Sequence, residues 1–283
     1  MSRRPASRAP VPIITLYDLQ SASPQPWAPN IQRIRFILNY KRLRYQTVFV
    51  EFPDVEATLR SIGAPPSAMR SDGRPLYTLP VLVDPTRNPQ APHVLVNPNL
   101  IAEYLESAYP AYPIFPAGTR ALETLFVHYI QEVFVKPLLP ILVPLSQQSL
   151  PERSQSHFRH HSASTSNTSH VRHGNTMGTP GPPSPSSAMQ MLPPGPVREQ
   201  AWRAVQEQFD FLAVILDKNA NDGVGDGVVA CGAEVSYADF ALCSVLVWIQ
   251  RMAANDGWAR IRDWNGGRWA RLWDRCRAYM DEY

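Results

Sequence analysis

Cysteine is scarce. Cys231, Cys243 and Cys276 are the full complement in 283 residues, an odd number at long spacings. Such a set makes neither a disulfide framework nor a zinc ribbon, and it reads as reduced thiols in a cytoplasmic protein. Charge of one sign is lacking too: 27 Lys and Arg face 24 Asp and Glu, and Arg3, Arg4 and Arg8 alone supply the net +3. No basic stripe with interleaved aromatics occurs, so nucleic acid is not an expected partner. No unbroken apolar run of about 18 residues occurs either, so no membrane span is expected. The opening MSRRPASRAP has no apolar stretch of the secretory type. It is Arg-bearing and acid-free, as transit peptides begin, but very short, and residues 1–11 are read as a disordered tail.

Apolar residues are nearly missing from one internal tract, roughly 151–196, which is rich in Ser, Thr, His, Pro and Gly and shows no period. Such a segment cannot bury enough surface to offset its ordering, and it is expected to be a disordered insertion. Five of the seven histidines fall in it: His157, His160, His161, His170 and His173. Without a rigid frame or nearby carboxylates they are not expected to form a metal site.

Proline, by contrast, is plentiful at 29 residues, and three prolines flank Trp27 in the segment PQPWAPNIQR, 24–33. A plain connection needs none of this; a loop that holds a ligand at a helix N-terminus does. Around it, residues 12–110 read as mixed α/β. PIITLY (12–17) and YQTVFVEF (45–52) are strand-like, and between them Ile31, Ile34 and Leu38 recur at helical spacing. Strand, helix, strand over so few residues implies a right-handed parallel crossover. A polar loop leads to YTLPVLVD (77–84) and HVLVN (93–97), two further strands. PNLIAEYLESAYP then places Leu100, Ile101, Tyr104, Leu105 and Ala108 on one helix side. Pro80 removes a ladder donor from its strand. It is either an edge-strand proline or a cis turn that leaves the backbone of Leu79 open to an incoming peptide.

Residues 119–283 read as helical. Leu122, Leu125, Phe126, Tyr129, Ile130 and Val133 form an apolar stripe, ended or kinked by Pro137, Pro140 and Pro144. Ala201, Val205, Phe209, Leu212 and Leu216 form another. SYADFALCSVLVWIQRM (236–252) opens with a capping-box pair, Ser236 and Asp239, and is apolar around most of its circumference, as a buried central helix is. Trp269, Trp273 and Cys276 pack the last helix inward.

The order βαβ–ββα followed by helices, with a Leu-Pro before the third strand, resembles the glutathione transferase superfamily. The segments ITLYDL, PN with RIRFILNYK, DGRPLYTLPVLVDP, PIFPAGT, SYADFALCSVLVWI and WNGGRWARLW are similar to the fungal etherase-like class and the bacterial β-etherases. The resemblance implies an α/β plus all-α architecture. A thioredoxin-like glutathione-binding domain would occupy 12–110, and a helical C-terminal domain, 119–283, would supply the acceptor pocket.

It also implies site residues. In that class the loop before the first helix reads Trp-Ser-Pro-Asn, with the serine hydroxyl facing the glutathione sulfur. Here the stretch is Trp27-Ala28-Pro29-Asn30, so the serine position is vacant and Asn30 is the remaining side-chain donor. Leu79, before Pro80, is the implied backbone partner of the peptide. Asn97-Pro98 stands where the superfamily places an acidic residue and a serine for the γ-glutamyl group. Trp27, Tyr129 and Trp248 are implied walls of the acceptor site, each with a core-packing reading beside it. The implied chemistry is attack of the glutathione thiolate on a hydrophobic or aromatic electrophile, ether cleavage included, by a cytoplasmic detoxification enzyme able to form a homodimer. Two other readings keep the fold: a non-catalytic binder of hydrophobic ligands, favoured by Ala28 and Pro98, and a degenerate scaffold.

Overall fold

Strand β1 (Ile14–Leu19) alternates buried and half-buried side chains, the two-residue period of a pleated strand. The computed structural model describes residues 12–280 except 24, 165–190, 222 and 224, with backbone alone over 159–164. Helix α1 (Pro29–Tyr40) returns the chain to β2 (Tyr45–Val50), which runs parallel to β1 with Ile14 opposite Tyr45. β5 (Val81–Asp84) is antiparallel to β1, and β6 (His93–Val96) pairs with β5 before α3 (Pro98–Ala108). The sheet order is β2-β1-β5-β6, a mixed sheet of the thioredoxin-like type.

Between β2 and β5 the polar loop holds structure that the sequence pattern did not show. A short helix α2 (Val55–Ser61) buries Val55 and Leu59, and β3 (Ala68–Met69) and β4 (Pro75–Leu76) form a separate hairpin. Seven residues and two-residue strands are too short for periodicity to declare itself.

α1 and α3 are clamped side by side. Lys41, at the C-cap of α1, buries its ammonium against Glu106 of α3 at 2.7 Å and against the carbonyls of Tyr109, Ala111 and Tyr112. On its other side α1 packs on the helical half, where Phe36 stacks on Phe240 with centroids 5.6 Å apart. Gln32 and Asn39 donate to the carbonyls of Met280 and Tyr279, so the end of the described chain is pinned to α1.

The helical half runs through α4 (Arg120–Tyr129), a π turn (Ile130–Phe134), a 3-10 turn (Lys136–Leu138), α5 (Leu139–Gln148) and α6 (Glu152–Ser164). It continues with α7 (Pro196–Asn221), α8 (Tyr237–Met252), a second π turn (Ala254–Trp258), α9 (Ala259–Ile261), α10 (Trp264–Cys276) and a closing 3-10 turn (Arg277–Tyr279). α8 is buried from Tyr237 to Ile249, and its capping box is formed, with Asp239 Oδ2 accepting from the Ser236 N–H at 2.8 Å.

Two expectations change. Disorder was expected from 151, yet 152–164 is helical: Phe158 of α6 lies 4.3 Å from the Phe52 ring, and the Ser154 hydroxyl, fully buried, accepts from the Phe52 N–H. Two anchors one turn apart dock a helix whose composition is otherwise polar. Residues 165–190 of that tract lie outside the described residues, as does the tail 1–11. Secondly, the α4 stripe points outward in part: Leu122, Leu125 and Val133 are exposed, while Glu123, Val127, Ile130 and Phe134 face inward. The 29 residues Arg120–Gln148 are, by length and mean hydropathy alone, apolar enough to cross a membrane. In the fold this run is broken by the π and 3-10 turns and carries Pro144 inside α5.

Candidate functional site

The loop into α1 is built on Ser21. Its hydroxyl accepts from Trp27 Nε1 at 3.0 Å and from the Ser23 N–H, and it donates to the Ser149 carbonyl just past α5. Trp27 is thereby buried and serves to fix the loop. Ala28 follows as the N-cap, and its carbonyl accepts from the N–H groups of Ile31 and Gln32 at 3.0 and 2.8 Å. Its side chain caps nothing. Pro29 has no N–H, so the Asn30 N–H is the first backbone donor of the helix, and among the described residues it meets no acceptor.

The start of α3 repeats this design. Pro98 is its first residue, buried, and Asn99 its second. Here the N-cap is Asn97, held at φ 71°, and its Oδ1 takes the Asn99 N–H at 2.9 Å. The open donor of this helix is therefore closed by its own cap.

One buried guanidinium joins the two starts. Arg33, 2% exposed, donates from Nη2 to Asn30 Oδ1 at 3.0 Å and from Nη1 to Asn99 Oδ1 at 3.4 Å. Gln131 of the π turn, oriented oxygen-first, accepts at 2.9 and 2.6 Å from the same two nitrogens. The Tyr237 hydroxyl completes the group by donating to Asn99 Oδ1 at 2.6 Å; burial pushes its pKa up to about 12, so it stays a neutral donor.

Leu79 and Pro80 lie at the same end of the sheet. Val81 pairs with Tyr17 near the end of β1 and with Val96 at the end of β6, so the residues just before it sit beside both loops that start α1 and α3. The Leu79–Pro80 bond is cis, and the Leu79 backbone makes no hydrogen bond among the described residues. Around one place the fold thus gathers the open Asn30 N–H, the Asn30 carboxamide, the Leu79 backbone and two helix N-termini. Helix N-termini carry partial positive charge, and the arrangement suits an extended anionic peptide.

The sequence models of a known family cover both halves of the chain. The N-terminal domain of glutathione S-transferase matches residues 27–108, and the C-terminal domain of glutathione S-transferase matches 121–173 and 184–279. This chain is a glutathione S-transferase family member. A curated relative from Aspergillus flavus, the glutathione S-transferase-like protein ustS, is 24% identical over 96% of this chain and 92% of its own length. The glutathione S-transferase CsGST63524 of Ceriporiopsis subvermispora, solved in complex with glutathione, is 29% identical, with TM-score 0.79 over 96% of this chain and 99% of that one. The beta-etherase LigF of Sphingobium sp. strain SYK-6 shares the fold, at 17% identity and TM-score 0.56 over 94% of this chain and 95% of its own.

Of the residues expected in the transferase site, Ala28, Asn30, Leu79, Pro80, Asn97 and Pro98 fall at the shared end of the sheet and the two helix starts. The expected acceptor walls do not form one group. Trp27 donates to Ser21 Oγ in its own loop, whereas Trp248 donates to Ser146 Oγ of α5 at 2.7 Å; both tryptophans are buried. Tyr129 instead donates to Gln208 Oε1 and packs on Phe211, both on α7. An open hollow of about 160 Å³ lies elsewhere, between Trp202 and Arg203 on α7 and Arg260 and Trp264 beyond α8, and includes no expected site residue. Among the described residues no cluster of His, Cys, Asp or Glu is placed to hold a metal.

Proposed function

We propose that this protein binds glutathione across the starts of α1 and α3 and delivers its thiolate to a hydrophobic or aromatic electrophile. The open donor pair on Asn30, backbone N–H and side-chain amide, carries the reading. α3 closes its free N–H on its own cap, whereas α1 leaves its own free where a sulfur anion gains most. A thiol of this kind is mostly protonated at neutral pH, and the thiolate is the nucleophile. Two N–H donors and a helix N-terminus favour that anion.

The thiol proton leaves to solvent, sulfur forms a bond to carbon, and the leaving group departs with the bonding pair; from an aryl ether it leaves as a phenoxide. The Leu79 backbone pairs with the peptide, and the polar groups of Asn97 meet the γ-glutamyl end. Etherase-like specificity is supported by the segments shared with that class. A detoxifying role in the cytoplasm belongs to the same reading, as does pairing of two copies, which the outward Leu122, Leu125 and Phe211 support.

A second reading, a binder without turnover, is favoured by Ala28, which offers sulfur no hydroxyl. Calorimetry with glutathione and turnover of chlorodinitrobenzene separate the two. Binding with turnover supports the transferase, binding without turnover the binder, and absence of binding sinks both.

A further inference from the structure

We infer that Arg33 is the positioning residue of this site, holding the Asn30 carboxamide so that its N–H2 group, rather than its oxygen, faces the glutathione sulfur. The inference rests on the proposed transferase reading and deepens it.

The reason is the donor inventory. A guanidinium donates and never accepts. Beside Arg33 Nη2, at 3.0 Å, Asn30 has no choice but to present Oδ1. Its amide nitrogen then points away from the guanidinium, with no acceptor among the described residues. Loosened from Arg33, the carboxamide would be free to turn its oxygen to the sulfur, and an oxygen beside a thiolate is repulsive where an N–H is attractive. Ala28, at the adjacent N-cap, has no polar side-chain atom to share this task.

Arg33 is also unusual as a purely structural tie. Buried arginines ordinarily answer a carboxylate, because an uncompensated buried charge is expensive. Here the described acceptors are the neutral oxygens of Asn30, Asn99 and Gln131, and Nε, also buried, has no partner. The groups facing it are Asn30 from α1, Asn99 from α3, Gln131 from the π turn and the Tyr237 ring of α8, its centroid 5.9 Å away. Glu103 and Glu123 act on Tyr237 from farther off and accept nothing from Arg33. Burial lowers the Arg33 pKa from its usual value, yet a guanidinium keeps its proton in proteins. A net positive charge therefore stands behind the Asn30 amide, with no carboxylate bonded to it among the described residues. Glutathione supplies the anion.

The test reads the thiol itself. Glutathione bound to the whole protein is titrated by ultraviolet thiolate absorbance, with S-methylglutathione, which has no thiol, measured by calorimetry beside it. Arg33→Gln should raise the apparent pKa of the bound thiol by on the order of one unit, a tenfold loss of thiolate at neutral pH. Arg33→Lys, which keeps the charge and still only donates, should restore most of the wild-type curve. Asn30→Leu leaves Arg33 the oxygens of Asn99 and Gln131 and should reproduce the rise. S-methylglutathione affinity should stay within about threefold throughout, since one sulfur contact is a small share of the peptide's binding.

If Arg33→Gln binds glutathione with an unmoved thiol curve, the inference is overturned. Should that variant fail to fold, Asn30→Leu decides: an unmoved curve there leaves Arg33 nothing to position and overturns it equally. Wild-type protein that binds no glutathione would sink the transferase reading, and this inference with it.

Discussion

Asn30 and Asn99 hold the same position in two different helices, each following the proline that starts its helix, and both give their side-chain oxygen to Arg33. The relationship brings two positive helix ends to one place. It also sets them apart in use. Asn97 consumes the free N–H of α3, while Ala28 leaves that of α1 open.

Because the N-cap of α1 is an alanine, a hydroxyl can be added there without displacing a capping bond. Ala28→Ser is expected to raise turnover. Losing one preorganised donor costs roughly 2.7–4 kcal/mol in enzyme sites, and a partly wet thiol site should gain less, on the order of tenfold. Glutathione affinity should change little, since most peptide contacts lie elsewhere. Steady-state rates with chlorodinitrobenzene check it. A serine variant no faster than wild type would mean that the Asn30 donors already saturate the sulfur.

Much of this was legible in the sequence. β1, β2, β5, β6 and α3 follow from period and composition, and Ser236 with Asp239 announces α8. What was hidden needed partners distant in the chain. α6 is held by Ser154 and Phe158 on Phe52, by Arg153 on Asp54 and by Gln155 on the Gln148 and Leu150 carbonyls. On α4 both faces carry apolar residues, so periodicity could not say that Val127 and Phe134 face in while Leu122 and Leu125 face out. Asn30 stood out through its Pro-Asn motif. Arg33 did not, because an arginine in an amphipathic helix reads as a solvated charge; its burial depends on α3, α8 and Gln131.

A second buried arginine of α1 does have its carboxylate. Arg35 and Asp18 of β1 meet at 2.8 Å with side chains 1% exposed on each. Asp18→Leu would leave a buried cation without its anion, at a cost of about 3–5 kcal/mol. The melting temperature should fall by on the order of 10 °C. Adding Arg35→Met should return most of the loss, because an apolar pair of similar volume replaces a buried ion pair at little cost. A double variant no more stable than Asp18→Leu would show that Arg35 serves its other neighbours, Tyr45 and Thr47, more than Asp18.

α6 offers a more local test. Phe158→Ala removes the ring that packs on Phe52. This side chain is only half-buried, so the loss should be about 1–2 kcal/mol, below the range for a core phenylalanine. Denaturant midpoints measure it. A deletion that begins at residue 155 should lose at least as much, whereas one beginning after Ser164 spares this contact. Equal stability of Phe158→Ala and wild type would mean that the Phe158–Phe52 contact contributes nothing and that α6 is held by its polar ties, Ser154 to Phe52 and Arg153 to Asp54.

The last prediction concerns two buried acids that face each other across α4 and α8. Burial pushes Asp239 up to about 7 despite the hydrogen bonds it accepts from Ser236 and Ala230, and the charge of Glu123 adds to the rise. Glu123 is itself raised, mainly by burial, with the Ala238 N–H on Oε2 at 2.7 Å and Oε1 unpaired. Both folded values exceed the unfolded ones, so the folded state holds protons more tightly. This contribution to stability is fully present below the ordinary carboxylate range, about 4, and is lost as pH rises through the folded values. Asp84 has the opposite sign: hydrogen bonds from Thr86, Tyr109 and Tyr104 outweigh its burial and hold it low, so its contribution is lost only in acid. Between about pH 5 and pH 7 the buried pair should dominate, and the urea midpoint should fall as pH rises. Glu123→Gln keeps an acceptor for Ala238 and removes the like charge, so its midpoint should depend less steeply on pH. Parallel falling curves would mean that Glu123 does not act on Asp239, and a wild-type midpoint that does not change with pH would mean that Asp239 is ionised throughout that window, its three hydrogen bonds from Ser236 (twice) and Ala230 outweighing its burial.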